Sequence, residues 1–157
     1  MVLVSARWLN PEELSTWKNF SLMHLQLNAR LNQTLAEFGV SLQDYLVMAS
    51  LSDRSDERCR VVELARELGW EKSRLSHHLS RMCDRELVEK VPCPLDQRGV
   101  FVHLTPTGRR VLREVAPVHV EDVRRFFIDL TTTSDRNHLR RVADGVLRRL
   151  AEENSDT

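Results

Sequence analysis

One stretch of this sequence alternates with a two-residue hydrophobic period, and helical spacing flanks it on both sides. Val88-Glu89-Lys90-Val91 and Val100-Phe101-Val102-His103-Leu104 read as strands, with Val100, Val102 and Leu104 on one face. Pro92 to Gly99 lies between them as a loop charged near its tip, so the pair predicts a hairpin. Only five Gly and five Pro among 157 residues leave little material for long loops. The rest of the chain is expected to be mainly α.

Start signals divide that helical remainder. Asn10-Pro11-Glu12-Glu13 supplies a capping amide, a first-turn proline and two acids at the positive end of the helix dipole. Apolar residues recur from Leu14 through Trp17, Phe20, Leu27, Leu31 and Leu35 to Phe38, with a second set at Leu22, Met23 and Leu25, before Gly39. Such a helix has about 28 residues and is about 42 Å long, longer than one small lobe can cover. Its apolar residues lie on more than one side, which predicts packing against another subunit. Ser41 with Asp44 opens a second helix to about Asp53, and Ser52 to Glu57 is a polar link. Val61 to Leu68 and Lys72 to about Glu86 flank Gly69-Trp70-Glu71. Thr105-Pro106 starts a helix to about Asp129 with a bend at Pro117, and Thr132 with Asp135 caps a last one to about Glu152. The expected order is α-α-α-α-β-β-α-α.

Composition excludes several classes. With 29% charged and 41% hydrophobic residues, the chain is neither disordered nor collagen-like. Its apolar stretches, such as Leu42 to Leu51, are too short or too interrupted to cross a bilayer. There is no basic region followed by an apolar block at the amino terminus, and Cys59, Cys83 and Cys93 cannot all pair. A reducing cytoplasm and no membrane partner are expected. Net charge is zero, yet Arg58 to Arg113 holds twelve bases against seven acids, an excess of five that the flanks balance. A basic middle between acidic ends suits a polyanion partner.

The basic middle contains two helices joined by a tight glycine turn, the helix-turn-helix unit. Ala65 allows close approach, Gly69 serves the turn, and Leu64, Leu68, Trp70, Leu75 and Leu79 form the shared core. On a wheel of the second helix, Leu75, Leu79 and Met82 face inward. Ser73, His77, Ser80 and Asp84 face outward, with Arg74, Arg81 and Arg85 on one flank and Ser76 on the other. Hydroxyls, an imidazole and guanidinium groups suit base edges and phosphates. Asp96-Gln97-Arg98-Gly99 puts Arg98 at the hairpin tip, where it can enter a narrow minor groove, with Asp96 bracing it. Alone that tetrapeptide is a common turn; directly after a helix-turn-helix it reads as a wing.

The sequence here resembles the winged-helix regulators of the MarR (multiple antibiotic resistance regulator) type, from about Pro11 to Leu150. The carriers are Val62-Glu63-Leu64-Ala65, Lys72 through Met82, Asp96-Gln97-Arg98-Gly99 and Leu104-Thr105-Pro106-Thr107-Gly108. The resemblance implies a mainly α, α+β winged helix-turn-helix DNA-binding domain at 41–105. It also implies a helical dimerisation region built from 1–40 and 106–157, in which the first, fifth and sixth helices intertwine. By the same likeness Ser73, Arg74, Ser76, His77 and Arg81 meet the major groove and Arg98 the minor groove of double-stranded DNA. The expected protein is a homodimeric regulator, mainly a repressor, on a palindromic operator with half-sites one helical turn apart.

Many such regulators release DNA when a small phenolic or aromatic acid enters a cleft between the dimer and DNA-binding lobes. Trp17, His24, Tyr45 and Met48 are the candidates to line one, although their helical spacing also suits a core. The peroxide-sensing branch uses a cysteine early in the first helix, and no cysteine precedes Cys59. The six histidines show no zinc-ligand spacing, so no metal or other cofactor is expected. No phosphate loop or nucleophile elbow is present, and no enzyme activity is expected. The alternative is a winged-helix protein–protein module without operator binding, which would have no reason to keep Arg74, Arg81 and Arg98 together.

Overall fold

The computed structural model describes residues 6–93 and 96–155, apart from the side chains at 96–98 and 154–155. The expectations for the Asp96 and Arg98 side chains therefore lie outside the described residues. Helix α1 spans Pro11–Ala36, α2 Leu42–Ser52, α3 Val61–Leu68, α4 Lys72–Asp84, α5 Pro106–Phe126 and α6 Thr133–Ser155. Strands β1 (Arg58–Arg60), β2 (Val88–Cys93) and β3 (Asp96–Leu104) form one antiparallel sheet in the order β1-β3-β2. The fold is a mainly α winged helix.

The caps act where the sequence places them. Asn10 and Glu13 exchange reciprocal backbone hydrogen bonds of 2.9 Å at the start of α1. Ser41 and Asp44 do the same at α2, with bonds of 2.9 and 3.0 Å. Thr132 and Asp135 close the start of α6. Helix α1 is two residues shorter than its apolar run, because Phe38 and Gly39 form the turn and Gly39 takes φ +71°.

Three sequence expectations need correction. The expected order has no strand before the wing, but Arg58–Arg60 is one, with Cys59 opposite Val102 of β3. Three residues are too few to show alternation, and their partner lies more than forty residues away. The hairpin strands also run further than the alternation suggests. Pro92 sits within β2, opposite Val100, which an edge strand permits because that position needs no N–H for a further neighbour. Finally, α5 continues through Pro117 and ends at Phe126, and a short 3-10 turn at Ile128–Leu130 replaces its expected last residues.

Two compact units divide the chain at His119 and Val120. The core of the first joins Leu31, Leu35 and Val40 to Val47, Met48 and Leu51 of α2, Leu64 of α3, and Leu75, Leu79 and Met82 of α4. Val88 and Val102 supply the sheet face of this core, and Val115 the α5 side. The second unit, from Val120, carries α6, whose Leu139, Val142, Val146, Leu147 and Leu150 are all exposed.

The wing is locked to the start of α5 at one place. Thr105 Oγ1 accepts from the Gly108 N–H (2.9 Å) and donates to the Glu86 carbonyl (2.5 Å), and the Thr105 N–H donates to Leu87 (3.3 Å). Gly108 is there because a β-carbon would collide with the Leu87 carbonyl and Leu104 Cδ1. Gly108→Ala should destabilise the protein by about 2 kcal/mol, within the usual range for overpacking. Chemical denaturation that left the midpoint unchanged would show that this approach can relax freely.

Candidate nucleic-acid interface

The α3–α4 unit is fixed by its turn. Gly69 adopts φ +65°, and the Trp70 N–H returns to the Ala65 carbonyl at 2.9 Å, which closes α3 and redirects the chain. Ala65 is buried. In α4, Leu75, Leu79 and Met82 have no exposed surface, which sets the rotation of the helix about its own axis. Ser73, Arg74, His77, Ser80 and Arg81 consequently face solvent, with Ser76 half-buried at the edge.

Contacts from outside the helix arrange this face. Lys90 of β2 reaches across to donate to the Ser76 carbonyl (3.1 Å) and to Ser80 Oγ (2.9 Å). Arg74 lies over the Trp70 ring at 4.9 Å. Arg85, on the same flank, turns inward and donates from Nη1 to Asp44 Oδ2 (2.8 Å) and from Nη2 to the Gly39 carbonyl (2.5 Å). His78 Nε2 lies 3.0 Å from Asp44 Oδ1. Burial alone would raise the pKa of the Asp44 carboxyl, but contacts from His78, Arg85 and Ser41 outweigh it and hold the group well below the ordinary carboxylate range.

Openings border the unit on more than one side. A notch of about 310 Å³ separates the start of α3 from the wing, and Arg60, Arg66 and Lys72 line it opposite Gly99 and Val100. In the sequence Arg60 and Arg66 have no role beyond charge and Lys72 only a place in a family motif, because the three sit on different elements and share no periodicity. Glu63 lines the same notch, and Arg60 lies near the Phe101 ring and 3.7 Å from Cys93 Sγ. A larger cleft of about 620 Å³ is lined by His24, Asn28, Leu42, Leu46, Leu68, Trp70 and Arg74, among others.

Of the four residues expected to line a cleft, the structure places only His24 there, hydrogen-bonded to Asn28 at 3.1 Å. Met48 is wholly buried in the core, the alternative its helical spacing also allowed. Trp17 is exposed on α1 against Phe20, and Tyr45 lies against His119 with ring centroids 4.1 Å apart and planes tilted by 37°. Trp70 and Arg74 face the cleft in their place; their link to α4 had marked them for other roles. Burial raises the pKa of the Cys59 thiol, which suits an unreactive side chain.

A helix-turn-helix with an exposed polar reading face, followed by a two-stranded wing, defines the class of winged-helix DNA-binding transcriptional regulators. The MarR family model matches residues 38–99. AbsC, a MarR family transcriptional regulator from Streptomyces coelicolor, is 36% identical over 97% of this chain and 100% of that one, with a TM-score of 0.85. Sco3205, a MarR family regulator from the same organism solved in complex with DNA, is 31% identical over 91% of this chain and 94% of its own, with a TM-score of 0.86. An HTH-type transcriptional regulator of Bacillus subtilis, YsmB, is 27% identical over 71% of this chain and 76% of its length. The protein belongs to the MarR family.

Asp44→Asn should cost about 2 kcal/mol at neutral pH. That lies between the ~3–5 kcal/mol of a broken buried pair and the ~1 kcal/mol of an exposed one, since the Arg85 guanidinium is half exposed. The folded-state pKa of Asp44 is lowered, so its contribution is complete above the unfolded value near pH 4 and is lost as pH falls further. The stability gap between wild type and variant in urea melts should narrow below about pH 4; a gap undiminished at pH 2.5 would contradict this assignment.

Proposed function

We propose that the protein is a homodimeric repressor that binds a palindromic DNA operator and leaves it when a small aromatic or phenolic acid binds. The observation that carries this reading is the outward face of α4, where Ser73, Arg74, His77 and Arg81 stand exposed on a helix whose rotation is fixed from behind. Ser73, Arg74, Ser76, His77 and Arg81 take the major groove. Arg98, braced by Asp96, takes the minor groove. Arg60, Arg66 and Lys72 hold the phosphates that pass between helix and wing.

Residues 41–105 form the DNA-binding domain on this reading, and 1–40 with 106–157 the dimerisation region. Leu14, Trp17, Phe20, Leu22, Met23 and Leu25 of α1 are exposed, as are the five apolar residues of α6. Single exposed apolar side chains are ordinary, but runs of this length on helices mark an interface. A two-fold pair would set its α4 helices one helical turn apart on the duplex. The cleft beside α1 combines Leu42, Leu46, Leu68 and Trp70 with the Arg74 guanidinium, which suits a planar acid. An acid there would engage Arg74, a group the operator also needs, and the two ligands would compete through it.

Selection of bound duplexes from a random pool, repeated with a panel of aromatic acids, tests this directly. The expected outcome is a palindrome with half-sites about 10 base pairs apart, whose occupancy falls with at least one acid. In a transcription assay the protein should silence a promoter carrying that palindrome. Arg98→Ala and Lys72→Ala should each weaken binding and reduce the slope of log affinity against log salt by about one. Wild-type affinity and slope in both variants would remove the wing and the notch from the interface.

A further inference from the structure

Behind the reading face of α4 a single imidazole ties Arg81 to a buried carboxylate. Arg81 Nη2 lies 3.2 Å from His78 Nδ1. Arginine offers only donors, so Nδ1 must accept and the ring proton resides on Nε2. That nitrogen is buried and lies 3.0 Å from Asp44 Oδ1, close enough for an electrostatic contact but off the line of a hydrogen bond, and the Asp44 side chain is only 4% exposed. Trp70 meets the same ring edge-on, at 5.3 Å and 89°. The ring is therefore held from α2, from the α3–α4 turn and from α4 itself. Asp44 in turn is anchored by the Ser41 N–H at 2.9 Å and by Arg85 at 2.8 Å.

We propose that His78 is a positioning residue for sequence readout. Packed against the Asp44 carboxylate with its proton on Nε2, it fixes the plane of the Arg81 guanidinium and so determines which base edge or phosphate Arg81 selects. This rests on the reading of Arg81 as a duplex contact. A long guanidinium side chain has many rotamers, and ordering them on binding weakens every contact it makes. Arg81 is exposed, yet one of its nitrogens is already committed to His78, and among the described residues no hydrogen bond takes its other N–H groups, which suits a two-pronged contact. The carboxylate that directs the ring is on α2, outside the reading helix, so a residue that touches no DNA influences which DNA is bound. If His78 served only to fill space, any side chain of its size would replace it.

The test uses the full chain and compares affinity for the selected operator with affinity for a scrambled duplex at one salt concentration. Arg81→Ala should lower that ratio about tenfold, the scale of one good base contact. His78→Leu should lower it about fivefold, and the double variant should match Arg81→Ala within twofold, because both changes remove one coupled element. His78→Gln, whose amide can accept from Arg81 and donate to Asp44, should stay within twofold of wild type. Losses in H78L and R81A that multiply in the double variant would overturn the proposal, as would an H78L ratio equal to wild type. A wild-type ratio in R81A would instead overturn the reading of Arg81 as a contact, and the proposal with it. Nitrogen-15 shifts of the His78 ring in the wild-type protein give an answer that needs no variant. The proton is expected on Nε2, and a proton on Nδ1 would overturn the assignment.

Discussion

A helix proposed to read a duplex has to show it the same side every time, and in this protein two constraints of different kind fix the side that α4 shows. Leu75, Leu79 and Met82 are fully buried and fix the rotation of α4 about its axis. Hydrophobic contact is non-directional, however, and on its own tolerates sliding along the groove it fills. The Asp44 carboxylate supplies the direction. It caps α2 through Ser41, receives Arg85 and faces His78, so one buried charge ties the start of α2 to the middle and end of α4. A buried carboxylate with so many partners is costly to form and more costly to leave half satisfied, which makes alternative placements of α4 unfavourable.

The wing obeys the same logic at its own scale. Lys90 on β2 reaches the Ser76 carbonyl and the Ser80 hydroxyl, so the sheet bears on the edge of the reading face. At the other end of the hairpin, Thr105 and Gly108 bind the chain leaving α4 to the first turn of α5. Wing and helix are thus coupled through polar contacts at both margins and through Val88 and Val102 in the core between them. The sheet gains further stiffness from β1, whose Arg58 and Arg60 both lie near the Phe101 ring.

Local rules were readable in the sequence wherever local physics decides. The capping pairs Asn10–Glu13, Ser41–Asp44 and Thr132–Asp135 announced three helix starts, Gly69 announced the turn, and a simple wheel separated the inward from the outward residues of α4. What stayed hidden depends on pairing over distance. Strand β1 exists only because β3 arrives to pair with it. Asp44 reads as a cap and nothing more until Arg85, forty-one residues on, folds back upon it. Met48 and His24 share the same helical spacing and the same suitability for a cleft, yet one is in the core and the other at an opening. Periodicity reports which side of a helix is apolar, whereas the neighbour that covers it is a property of the assembled chain.

That distinction bears on the ends of the sequence. In α6 every residue whose side chain is described, except Arg136, is exposed, its apolar positions included. Short surface ion pairs such as Arg149–Glu153, at 3.1 Å, contribute little to holding such a helix. Most helical stability in proteins comes from packing of an amphipathic side, so this side requires a cover that a single copy of the described residues does not supply. On the homodimer reading, the second copy provides it, and folding of the terminal helices is then linked to association and hence to protein concentration. DNA affinity would inherit that linkage, because two reading helices act as one only while the helices between them remain packed. Substitutions at Leu147 or Trp17, which lie in neither the notch nor the cleft, would then alter operator binding through the dimer equilibrium rather than through any contact with the duplex.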